Sequence, residues 1–322
     1  MLAAAVLVSA AGQALAAEAG WEARNQEIGL SLWADDTLWD DTPEDVAKRL
    51  QWPEESKTSY ATIHRLYPDE TARVLGRRVY AMAMYGRGGA VDSLYFMFAN
   101  KGDLPPSTGG EATVRKAIRD EAQQLERRLT ELFGKPTDGI FGRGGKTQER
   151  VKWWAWNKHA FVLAAPDEEY VAVRIVPEAM AKKGGVREHM ERKKLQKVLE
   201  KRVVRRKNGD VIVEDIPIVD QGPKGYCVPA TWERYLRYMD VDTDLYVLAM
   251  AGDTGIGGGT SFTRMVAGVS QFAARSGLAV QGCAPRVTAG TIAMHIDQGV
   301  SLMWSMNVVM DLNQNITARS TL

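Results

Sequence analysis

The residues best able to do chemistry lie in one short run, Asp220-Gln221-Gly222-Pro223-Lys224-Gly225-Tyr226-Cys227-Val228-Pro229-Ala230-Thr231-Trp232. Gly222, Pro223 and Gly225 force an irregular loop, and Pro229 is favoured at a helix start, so Cys227 is expected at the N-terminal end of a helix reaching about Met239. A thiol placed there has a reason to react: the nucleophile is the thiolate, which the partial positive charge and free N–H groups of a helix start favour. Gln221, six positions upstream, could donate one hydrogen bond to the oxygen of a tetrahedral intermediate while the backbone N–H of Cys227 donates the other. The chemistry so encoded is acyl transfer through a thioester. Two competing expectations are a buried structural thiol and a disulfide with Cys283, the second of the two cysteines.

At these residues the sequence resembles the papain-like cysteine peptidases, in which a Gln precedes the nucleophilic Cys by the same interval and the Cys opens a long helix. Cys227-Val228-Pro229-Ala230 is most similar to the bacterial double-glycine, bacteriocin-processing branch, where a Gly stands in place of Val228. The resemblance covers about residues 213–310. It implies an incomplete papain-like peptidase domain at 213–322, with Cys227 as nucleophile, Gln221 as oxyanion donor, a peptide or protein substrate and no metal or cofactor. It also implies a His at the head of a strand after Gly299 to Val309, which does not occur before Leu322, so the sequence reads as truncated. A thiolate needs such a His to take and return its proton. The four histidines are His64, His159, His189 and His295, and only His295 lies in the right part of the chain. Its setting, a helix before the Gly299 turn, makes it a weak candidate and a packing residue first.

Gly257, Gly258 and Gly259 belong to a glycine-rich loop at 252–261. No Lys-Ser/Thr follows at the spacing that a phosphate-binding loop demands. Glycines admit close approach of a substrate backbone, so this loop is expected to wall the peptide cleft, with a plain connector as the alternative.

These residues need elements to hold them. The fold class expected is α+β, an N-terminal antiparallel sheet with helices packed on one face over 17–177, followed by the peptidase-like part. Thr42 caps a helix with Pro43 at its first position and Asp45 three residues after the cap, running to about Leu50. Val79 to Tyr85 and Val91 to Ala99 flank Gly86-Arg87-Gly88-Gly89 and read as a hairpin. Val114, Ile118, Ala122, Leu125, Leu129 and Leu132 mark one face of a helix from Glu111 to Phe133, stopped by Gly134 and Pro136. Three strands follow, at 151–156, 159–164 and 170–176. Trp153, Trp154 and Trp156 are expected in the core more than on a stacking surface. No catalytic constellation assembles within 17–177.

The 322 residues carry 41 Lys+Arg against 40 Asp+Glu and are 45% apolar, which excludes disorder and a disulfide-rich miniprotein. Near-neutral charge argues against a dedicated nucleic-acid binder. The charge is uneven: residues 182–207 hold 12 Lys+Arg and 3 Glu. This basic stretch, within a linker at 178–212, is expected to form an amphipathic helix that packs one stripe on a neighbour, with an anionic envelope surface as the sharper possibility. Met1 to Ala16 resembles an export signal, with Ala14-Leu15-Ala16 as the cleavage motif, although no Lys or Arg stands near Met1. A periplasmic or extracellular location is expected from it. After its removal no apolar run is long enough to span a bilayer.

Overall fold

The computed structural model describes residues 20–104, 109–142, 148–187, 190–282 and 287–303. The expected export signal, Cys283, His189 and most of the strand expected at 300–308 lie outside the described residues.

Helix α1 (Trp21–Ile28) leads to α2 (Pro43–Leu50), where the Thr42 hydroxyl accepts from the Asp45 N–H at 3.2 Å, as the capping pattern requires. Strands β1 (Glu54–Lys57) and β2 (Ala61–Leu66) follow, then a two-residue ladder of β3 (Arg73–Val74) and β4 (Arg77–Arg78). The expected hairpin is β5 (Ala81–Arg87) and β6 (Ala90–Asn100), turning at Gly88 and Gly89, whose φ values of 61° and 87° suit glycine. Helix α3 (Glu111–Phe133) has the expected bounds and precedes β7 (Thr137–Phe141), β8 (Glu149–Trp156), β9 (His159–Ala164) and β10 (Tyr170–Pro177). The eight longer strands pair in the order β1-β2-β5-β6-β10-β9-β8-β7, and all seven pairings are antiparallel, which makes one eight-stranded sheet.

Strand alternation sorts the side chains of this sheet onto two faces. On the first, Met84, Leu94, Phe96, Trp154, Phe161 and Val173 bury against Val114, Ile118, Leu125 and Leu129 of α3. The second carries Ala81, Ala83, Ala160, Ala164 and Ala172 with Val162 and Tyr95. The expectation of helices on one face is corrected here: both faces are covered. Alanines on the second face let the short helix Leu245–Ala251 lie close against the sheet.

The basic stretch also departs from a single helix. It comprises α4 (Glu178–Lys182), a break, α5 (Arg192–Lys201) and a hairpin of β11 (Val203–Arg205) and β12 (Val211–Val213). Gly184 and Gly185, at φ 68° and 66°, end the first helix, and Asn208-Gly209 turns the hairpin. Leu195 and Leu199 are the buried stripe of α5, packed on Tyr238, while Lys193, Lys194, Lys197 and Lys201 are exposed. The rest of the chain is helical among the described residues: α6 (Cys227–Tyr238), α7 (Leu245–Ala251), α8 (Phe262–Arg275) and α9 (Ala289–Asp297). Among them no helix is long and apolar enough to cross a membrane.

Trp154 and Trp156 lie in the core, and Trp156 joins Trp21, Trp33 and Trp39 around the His159 ring at centroid distances of 5.3 to 5.9 Å. Among the described residues neither ring nitrogen of His159 has a hydrogen-bond partner. Burial pushes its pKa down to about 4, with Lys158 acting the same way and Asp36 opposing. The unfolded chain binds that proton at about pH 6.5, so this site's contribution to stability is complete above that pH and is lost as pH falls towards 4. His159→Phe should flatten the decline of the urea midpoint across that interval, and an unaltered slope would refute the assignment.

Candidate functional site

Cys227 begins α6 and is an exposed, free thiol. The helix runs to Tyr238, within one residue of the expected end, and buries Pro229, Ala230, Trp232, Glu233, Leu236, Arg237 and Tyr238. Its start is fixed by the residue before the thiol. Tyr226 is buried against the second sheet face, where its hydroxyl meets Asn100 Oδ1 at 2.6 Å and Asp103 Oδ1 at 3.0 Å just beyond β6. Gly102 provides the space: a Cβ there would lie 2.5 Å from the tyrosine hydroxyl. The ring of Tyr226 packs edge-on to Tyr246 of α7 at 5.5 Å. Burial pushes the Asp103 carboxyl up to about 6, against the lowering pull of the Tyr226 hydrogen bond and Lys224. Asn100 and Asp103 were not legible as site residues, since nothing in Asn100-Lys101-Gly102-Asp103 links them to a loop more than a hundred positions away.

The body of α6 is held by a buried ionic quartet. Arg65 of β2 places Nε 2.8 Å from Glu55 Oε1 and donates from Nη2 to Glu233 Oε1 at 3.0 Å. Arg237, one turn after Glu233, donates to the same Glu233 oxygen and lies 3.9 Å from Glu55 Oε2. Glu233 is fully buried, and burial raises its pKa to about 7 despite the opposing pull of Arg237 and Arg65. Glu55 also accepts from the backbone N–H of Asp220 at 2.7 Å. One carboxylate thus joins the sheet edge, the arginines and the start of the Gln221 loop.

Gln221 is exposed on that loop, next to Asp220, whose carbonyl accepts from the Tyr67 hydroxyl at 2.7 Å. Among the described residues no hydrogen bond links its carboxamide to Cys227. The glycine loop does come to the thiol's loop: the N–H of Gly259 donates to the Gly225 carbonyl at 3.2 Å, and a Cβ on Gly258 would meet the Gly225 nitrogen at 3.2 Å. Gly257, Gly258 and Gly259 all have positive φ. The N–H groups of Gly255 and Gly258 are engaged within the loop, by Gly259 and Gly255 carbonyls, and the Thr254 and Thr260 hydroxyls close it at 2.6 Å. Those N–H groups are therefore not free to cradle a phosphate.

The imidazoles are elsewhere. His295 in α9 is one turn before Gly299, whose carbonyl accepts from the Tyr238 hydroxyl at 2.6 Å. That is the C-terminal end of α6, and at about 1.5 Å per residue the helix separates it from Cys227 by roughly 16 Å. His159 sits on the first sheet face among the tryptophans, and His64 alternates with Arg65 and so faces away from α6. Among the described residues no group of three or more His, Cys, Asp or Glu could hold a metal ion. No family model, curated protein or solved structure matches this chain.

The quartet carries two measurable consequences. Glu233→Ala takes from two buried guanidinium groups the oxygen that both donate to and should cost about 3–5 kcal/mol in urea unfolding. Because the folded pKa of Glu233 is raised, its contribution is present below the ordinary carboxyl range and is lost as pH rises towards 7. Glu233→Gln should accordingly flatten the stability profile between about pH 4.5 and 7, relative to the parent.

Proposed function

We propose that the chain is an exported thiol peptidase-like protein in which Cys227 attacks a peptide or amide carbonyl. The observation that carries this reading is an exposed thiol on the first residue of a well-anchored helix, with the Gly225 and Gly258-Gly259 backbones lying together beside its loop. A cleft wall without side chains suits an extended peptide backbone. In the reaction the sulfur would add to the carbonyl carbon, the thiol's proton would pass to the amide nitrogen as the C–N bond breaks and the amine leaves, and water would cleave the thioester to return the thiol and a carboxylic acid. Gln221 would steady the oxyanion after turning towards it.

One observation favours a second reading, a non-catalytic peptide-binding module. The described imidazoles stand on the far sheet face or at the far end of α6, so none of them serves Cys227 as a base. The two readings part in one experiment. On the thiol-peptidase reading, a peptidyl vinyl sulfone forms an adduct that mass spectrometry maps to Cys227, at a rate well above that of a cysteine in the urea-unfolded chain. Cys227→Ala should abolish the adduct and His295→Ala should leave its rate unchanged. Reaction at the unfolded-chain rate, or labelling confined to Cys283, would refute the enzymatic reading, and saturable peptide binding without an adduct would establish the second.

A further inference from the structure

A cavity of about 230 Å³ opens between the second sheet face and the connection from α6 to α7. Tyr60, Tyr85, Tyr95, Phe141, Val247 and Phe272 supply apolar and aromatic wall, and the half-exposed pair of Arg87 and Asp242, 2.5 Å apart, stands among its outer residues. For scale, an apolar cavity of about 150 Å³ holds benzene, so this one has room for a ring with a short tail.

Three of the residues that line it carry buried atoms with no hydrogen-bond partner among the described residues: Tyr95 Oη, Thr243 Oγ1 and Arg237 Nη1. Tyr95 is 3% exposed and Arg237 8%. All three can donate, and the guanidinium can do nothing else. Glu55 Oε2 and Glu233 Oε2, beside Arg237, also lack hydrogen-bond partners among the described residues but do not line the cavity, and the buried carboxylates that do line it are engaged. Asp244 takes the Tyr85 hydroxyl at 3.0 Å and the Tyr246 N–H at 2.8 Å, and Glu149 takes the Tyr170 hydroxyl and Arg174 Nη1, the latter at 2.6 Å. Arg237 Nη1 has only Glu55 Oε2, at 3.9 Å, beyond hydrogen-bond reach. The buried unpartnered atoms of the lining are therefore donors, one of them cationic, while its carboxylates, Asp92, Glu149, Asp242 and Asp244, are paired with arginines or hydroxyls.

We propose that this cavity binds a small apolar carboxylate, with its hydrocarbon body against the aromatic wall and its two oxygens accepting from Tyr95, Thr243 and Arg237. A carboxylate offers several lone pairs to donors, and a charge-assisted bond to guanidinium is the strong kind. The site is separate from the thiol: Arg237 lies ten residues along α6 from Cys227, about 15 Å by the helical rise.

The test uses 3-phenylpropionate as the probe in titration calorimetry of the full chain, with propylbenzene as the body without the acceptor. Saturable binding of one 3-phenylpropionate per chain is expected, with propylbenzene much weaker. The double variant Tyr95→Phe, Thr243→Val removes two donors and should weaken the acid by about tenfold or more. Removing unpaired hydroxyls should not lower the urea midpoint of the ligand-free variant, which guards against loss of fold as the cause. Cys227→Ala should bind the acid as the parent does, so the outcome is independent of the thiol reading. Absence of saturable binding, equal binding of propylbenzene, or an unchanged affinity in the double variant would overturn the proposal.

Discussion

Two arginines and two glutamates, shut away from water at the junction of β1, β2 and α6, are the interaction on which the arrangement of this molecule rests. Arg65 and Glu233 meet across 168 positions of chain. Taking such charges out of water is expensive, and only their mutual pairing offsets it, so the four must arrive together or not at all. Their short contacts leave α6 little freedom to rotate or slide over the sheet. Glu55 extends the same constraint into the backbone at Asp220, where the loop that leads to the thiol begins.

The second anchor acts at the other end of the helix. Tyr226 reaches the turn after β6 and is gripped there by Asn100 and Asp103, with Gly102 making room. A side chain adjacent to Cys227 is thus part of the sheet's own core, and the thiol is exposed because its neighbour is not. Helix α7 completes the arrangement by packing Leu245, Tyr246, Val247 and Ala249 onto the alanine-rich face. Through Tyr226 and α7 the C-terminal helices share the core of the sheet. They also have a small one of their own, around Trp232, Leu236, Leu248, Met265 and Val269, which ties α6 to α7 and α8.

Local signals were legible where local physics decides. The Thr42 cap, the glycines of the β5–β6 turn and the 3.6-residue period of α3 each specify an element without help from distant residues, and the position of Cys227 at a helix start followed from Pro229 and the glycines before it. The elements that escaped notice lack such signals: β1 is Glu-Glu-Ser-Lys, and β7 is Thr-Asp-Gly-Ile-Phe, neither of which alternates convincingly. In the basic stretch the charge run suggested one helix, whereas the backbone obeys Gly184-Gly185. Glu233 and Arg237 are spaced as an ordinary surface pair on a helix, and only the arrival of Arg65 makes them interior. The second sheet face was hidden for a related reason, since alanines are weak markers of burial and their covering helix lies some seventy residues beyond the last strand.

That separation sets a schedule for biosynthesis. The ribosome finishes β10 at Pro177, yet the helix that covers the alanine face is complete only at Ala251. For the interval in which those residues are made and leave the exit tunnel, a finished sheet would display an apolar surface covered only by Met180 and Ala181, the kind of nascent intermediate that self-associates. Cover for that surface thus comes from residues made some seventy positions after the sheet they protect.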